Sequence, residues 1–132
     1  MRFKDDIALT DDADLVWKRA SNLKWMPRYW RDIKSLEVLR VEDSETIVRF
    51  QFGAGECDAR IEQSGWTMVI YYTKGQFTGT QRISVRGNRL EVEWDIAFHG
   101  LSRLFSRSRQ ARIKIGTNEA LEKLVSTNGD ID

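Results

Sequence analysis

Apolar and polar positions alternate strictly through most of the chain and shift to helical spacing near its start and over its last third. Residues 3–9 read as a first strand, stopped by Thr10, Asp11 and Asp12. Asp11 or Asp12 suits a helix N-cap, and Asp14 suits the positive end of a helix dipole. Ala13, Val16, Trp17 and Ala20 follow helical spacing until Ser21 and Asn22 end the helix. A second short helix is predicted over residues 26–33, with Pro27 in its first turn.

A series of strands follows, each bounded by short turn signals. Residues 36–41 form the first, and 46–52 the second, with Val48, Phe50 and Phe52 on one face. After the turn at residues 53–55, Cys57, Ala59 and Ile61 alternate with Asp58, Arg60 and Glu62. Residues 66–72 are apolar on both faces, so Met68, Ile70 and Tyr72 or Val69 and Tyr71 suit the interior equally. Phe77, Gly79, Gln81, Ile83 and Val85 share a face of the next strand, and Gly87-Asn88 makes a tight hairpin. Leu90, Val92, Trp94, Ile96 and Phe98 then alternate with Glu91, Glu93 and Asp95. Such a meander is polar on one side and needs a cover on the other. Residues 101–125 supply it as one long helix with two apolar sets at helical spacing: Leu104, Ser108, Ala111 and Ile115, and Ile113, Thr117, Ala120, Leu121 and Leu124. Gly116 within that helix suits a kink or a close contact.

The order predicts an α+β fold: a curved antiparallel sheet of about seven strands wrapped around a long C-terminal helix, with two short helices between the first and second strands. One domain over residues 1–126 accounts for it, and the polar residues 127–132 read as a flexible tail. With 132 residues, 41% of them hydrophobic, the chain can bury a core unaided. Charges nearly cancel, 21 Lys and Arg against 20 Asp and Glu, which argues against a generic DNA binder. One Cys and one His exclude a disulfide framework and any metal site built from Cys and His clusters, and they point to a reducing, cytoplasmic setting.

Four stretches resemble the SRPBCC helix-grip superfamily, which includes START domains, polyketide cyclases and coenzyme Q-binding proteins. They are Ala13-Asp14-Leu15-Val16-Trp17, the segment from Asn22 through Trp25-Met26-Pro27 to Trp30, Glu93-Trp94-Asp95-Ile96-Ala97-Phe98, and the helix from Leu101 to Leu124. The resemblance implies a mainly apolar cavity between sheet and helix that holds a lipid, polyketide or quinone type of molecule. It brings no shared catalytic motif, so no catalytic residue and no cofactor are assigned.

Within that frame the candidate ligand-binding residues are Trp25, Tyr29, Trp30, Phe50, Phe52, Met68, Ile70, Tyr72, Gln81, Trp94 and Phe98. Trp25, Tyr29 and Trp30 either gate the cavity or plug it, and most of the inward apolar residues are simply core. Tyr72 and Gln81 are polar groups on inward faces, and a buried polar group must find a partner. Arg49 and Arg60 fall on the outer face with Glu56, Asp58 and Glu62 as partners, and His99 and Asp95 fall outside the sheet. Arg103, Arg107, Arg109 and Arg112 lie in a stretch without acids that suits contact with an anionic surface. The leading reading is a binder of a small hydrophobic or aromatic molecule. The alternatives are a cyclase or dehydratase-like enzyme using Tyr72, Gln81 or Arg49, and an interaction module using the basic segment.

Overall fold

The computed structural model describes residues 1–53 and 55–126. The tail predicted over 127–132 lies outside the described residues. In chain order the elements are β1 (Arg2–Ala8), α1 (Ala13–Ser21), a 3-10 turn (Leu23–Trp25), α2 (Met26–Tyr29), β2 (Ile33–Val41), β3 (Glu45–Phe52), β4 (Gly55–Ser64), β5 (Thr67–Gly75), β6 (Phe77–Arg86), β7 (Arg89–Phe98), α3 (Leu101–Leu104) and α4 (Ser106–Val125). All strand pairs are antiparallel, in the order β1-β7-β6-β5-β4-β3-β2. The first two strands in sequence are thus the two edges of the sheet. The segment joining them, α1 and α2, must cross its full width, and this fixes the helices on the face that α4 also covers. The predicted α+β grip of seven strands around a C-terminal helix is the observed architecture.

Three local expectations change. The second helix ends at Tyr29, and Ile33 already belongs to β2, because Trp30 leaves helical geometry at φ −102°, ψ 99°. The long helix breaks, but at Phe105 rather than at Gly116. Gly116 neither kinks the helix nor makes a close contact: a Cβ there would stand in ordinary contact, 3.6 Å from Asp32 Oδ2 and 3.9 Å from Arg31 Cγ. Of the two apolar sets on the helix, only Thr117, Ala120, Leu121 and Leu124, with half-buried Ile113, face the core. Leu104, Ser108, Ala111 and Ile115 face outward.

The strand alternation sorts as expected. Val48, Phe50, Cys57, Ala59, Ile61, Met68, Ile70, Ile83, Leu90 and Val92 are buried on the concave side. The convex side carries cross-strand ion pairs, including Arg49 with Asp58 at 2.8 Å and Arg60 with Glu45 at 3.2 Å. The Arg49 guanidinium holds the Asp58 carboxyl below the usual carboxylate range. At the other end, the buried Arg19 guanidinium donates to the Leu124 carbonyl and to Asp11 Oδ2, both at 2.9 Å, which pins α1 to the end of α4.

Gly79 of β6 sits at φ +129°, and a Cβ there would lie 2.1 Å from the Asp95 carbonyl oxygen of β7. Neither the dihedral nor the space admits a side chain. Gly79→Ala is expected to destabilise the protein by about 3 kcal/mol through strain and overpacking, measurable as a lower midpoint of urea unfolding. An unchanged midpoint would show that β6 and β7 separate there freely.

Candidate functional site

The apolar stripe of α4 that reaches the core begins only at Ile113, so the sheet is left partly uncovered beneath the first half of the helix. A cavity of about 80 Å³ lies there, between the sheet, the Trp30–Ile33 segment and α4. Phe52, Tyr72, Phe77, Trp94 and Phe98 form its aromatic wall. Their order follows from strand register. Tyr72 pairs across with Gly79, and Trp94 pairs with Gln81. The Tyr72 and Trp94 rings stack at 6.2 Å with 8° between planes, and Phe77 meets Tyr72 edge-on at 4.8 Å. Trp30 closes one end, edge-on to Trp94 at 6.3 Å.

Four polar groups interrupt this wall. The Trp94 indole N–H donates to Thr117 Oγ1 at 3.0 Å, and the Thr117 hydroxyl donates to the Ile113 carbonyl at 2.7 Å. That relay ties the sheet to α4. The Tyr72 hydroxyl donates to Gln81 Oε1 at 2.7 Å. Burial pushes the Tyr72 phenol well above its ordinary range, so it stays a neutral donor. Gln81 is 1% exposed, and its Nε2 has no hydrogen-bond partner among the described residues. The amide presents its oxygen to Tyr72 and its donor end away from it.

Six of the eleven candidate residues meet in this cavity: Trp30, Phe52, Tyr72, Gln81, Trp94 and Phe98. Trp25, Tyr29, Phe50, Met68 and Ile70 do not line it. Phe50, Met68 and Ile70 are core beneath it, and half-buried Trp25 carries the Arg28 guanidinium 5.7 Å from its ring centre. The ambiguity of β5 resolves to Met68, Ile70 and Tyr72 inward. Arg109 and Arg112, read in the sequence as surface cations, border the mouth, and Arg109 Nε is buried without a partner among the described residues. Thr117 was read only as a helix-face residue. The one signal for it was a hydroxyl within an otherwise apolar helical set.

The remaining chemistry-bearing residues lie apart. His99 is exposed and its Nε2 is 2.7 Å from Thr78 Oγ1, while Asp95 pairs with Arg2. Cys57 is buried, and desolvation pushes its thiol up. No group of three His, Cys, Asp or Glu among the described residues can hold a metal ion. No described helix is long and apolar enough to cross a membrane.

No family model and no curated protein matches this chain. Solved structures do. The Zhui aromatase/cyclase from a Streptomyces species superposes with TM-score 0.67 at 12% identity, over 99% of each chain. A START superfamily protein from Mycobacterium smegmatis gives TM-score 0.64 at 12% identity, over 93% of this chain and 98% of that one. A STAR-related lipid transfer protein from Xanthomonas axonopodis gives 0.61 at 14%, over 95% and 86%. This chain shares the helix-grip fold with these proteins. At these identities the likeness to helix-grip proteins carries the backbone and not the site.

The pairing at the cavity floor makes an energetic prediction. Tyr72→Phe leaves both ends of the buried Gln81 amide without partners and is expected to cost about 1–3 kcal/mol. The double variant Tyr72→Phe with Gln81→Leu removes the amide as well and should recover most of that loss in denaturant unfolding. Additive losses in the two single variants would show that the pair is not coupled.

Proposed function

We propose that this helix-grip protein binds a small, planar, mainly apolar molecule in the cavity between the sheet and α4. The observation that carries the reading is Gln81 Nε2, a buried amide donor without a protein partner, facing an otherwise aromatic chamber. Leaving such a donor unmet is costly, and a carbonyl or hydroxyl oxygen of a ligand would satisfy it. The stacked Tyr72 and Trp94 rings suit an aromatic or quinone ring. The small volume suits one ring of a quinone or polyketide type of molecule, with any longer part emerging past Arg109, rather than an enclosed acyl chain. Structural neighbours that include an aromatase/cyclase and a STAR-related lipid transfer protein support reading this chamber as the place for a ligand. The polar groups at its floor, a phenol held neutral and an amide, recognise oxygen atoms without needing to transfer protons, which favours binding over cyclase-like chemistry.

Native mass spectrometry of freshly purified protein is expected to show a small-molecule adduct released on denaturation. Single-ring carbonyl compounds are expected to raise the melting temperature, and Gln81→Leu should weaken their binding about tenfold, the worth of one buried hydrogen bond. A bare mass together with no response to any such compound would sink the reading.

A second contact is favoured by the outward side of α3 and the start of α4. Leu101, Leu104 and Phe105 are 77%, 75% and 60% exposed, and Arg103 and Arg107 flank them in a stretch without acids. Apolar side chains set among cations match the surface of an anionic bilayer. The protein is expected to sediment with phosphatidylcholine vesicles containing phosphatidylglycerol and not with phosphatidylcholine alone. Phe105→Asp with Arg107→Glu should abolish the effect, and equal recovery from both vesicle types would refute it.

A further inference from the structure

The cavity has two ends of different chemistry. At the floor, Tyr72 and Gln81 offer a single neutral donor. At the mouth stand Arg31, Arg109 and Arg112, with Asp32 the only lining carboxylate. Arg31 is already committed to Glu119 at 2.9 Å. Neither Arg109 nor Arg112 has a carboxylate within 4.0 Å among the described residues, and the buried Arg109 Nε has no acceptor. Asp32 sits against Gly116 and offsets at most one of the two, so the mouth keeps a guanidinium in excess. A half-buried guanidinium lined up with an aromatic chamber is poorly screened, and its planar fork matches a carboxylate better than any neutral oxygen.

We infer that the ligand is an acid: a single-ring aromatic carboxylate whose ring lies against Trp94 and Tyr72, whose far oxygen accepts from Gln81 Nε2, and whose carboxylate faces Arg109 and Arg112. This inference rests on the cavity-binding reading and adds to it the charge and the orientation of the ligand. It also assigns Arg109 and Arg112, which line the cavity, a different task from Arg103 and Arg107, which do not.

The test is isothermal titration calorimetry with para-hydroxybenzoate and with para-hydroxybenzamide, two rings of the same shape that differ in charge. The acid is expected to bind at least about tenfold tighter than the amide at low salt, with the gap narrowing as salt rises. In the variant with Arg109→Gln and Arg112→Gln, the ratio should fall to about one, with most of the loss in the affinity for the acid. Gln81→Leu should weaken both probes alike. An amide that binds as tightly as the acid overturns the acid preference and leaves the cavity reading standing. A tenfold preference that survives in the double arginine variant overturns the assignment of Arg109 and Arg112. If neither probe binds the wild-type protein, the ring-sized cavity reading falls, and this inference with it. Circular dichroism of each variant separates lost recognition from lost folding.

Discussion

The seven-stranded sheet exposes one apolar face, and the long helix α4 laid across it is apolar on its inner side for only half its length. From Ile113 onward α4 offers Thr117, Ala120, Leu121 and Leu124 to the core. Before that point the helix offers arginines, which cannot be buried against aromatic rings without partners. The sheet is therefore sealed at one end and open at the other. The Trp94 indole bond to Thr117 marks the boundary, because it is where helix and sheet last touch through a built hydrogen bond before the gap begins. The position of the cavity follows from that half-finished stripe.

The floor of the gap reflects a second compromise. An all-apolar wall would be simpler to stabilise, yet Gln81 stands in its middle at 1% exposure. One end of its amide is answered by the Tyr72 hydroxyl from the adjacent strand. A phenol and an amide together thus hold one donor toward the chamber. Removing either disturbs the other, as expected of buried polar networks.

Much of this was legible in the residues. Strict alternation identified the inward faces of β3, β4, β6 and β7, and it marked Gln81 as a polar group among apolar ones. The fold class followed from element order. What failed has physical reasons. The choice between Tyr71 and Tyr72 was invisible because both faces of β5 are apolar, and only the register against β6 decides it. The break at Phe105 was hidden because Leu101, Leu104 and Ser108 continue helical spacing straight across it. The inward set on α4 had an apolar rival of equal regularity, which turns out to face solvent. Trp25 and Trp30 are close in sequence but diverge because α2 is a single turn, after which the chain extends into β2. Arg109 looks like any surface arginine, since no periodicity records that the core beneath it is missing.

Trp94 has a property that reaches beyond packing. Its indole is stacked on a tyrosine, hydrogen-bonded to a threonine, and forms part of the chamber wall, whereas Trp66 lies at the surface, 40% exposed. Indole emission depends on the polarity and rigidity of its surroundings. A molecule entering the chamber would change both for Trp94 and for Trp30, which also lines it, while leaving Trp66 in water. The emission of the purified protein is therefore an intrinsic optical reporter of binding in the chamber, with no label attached.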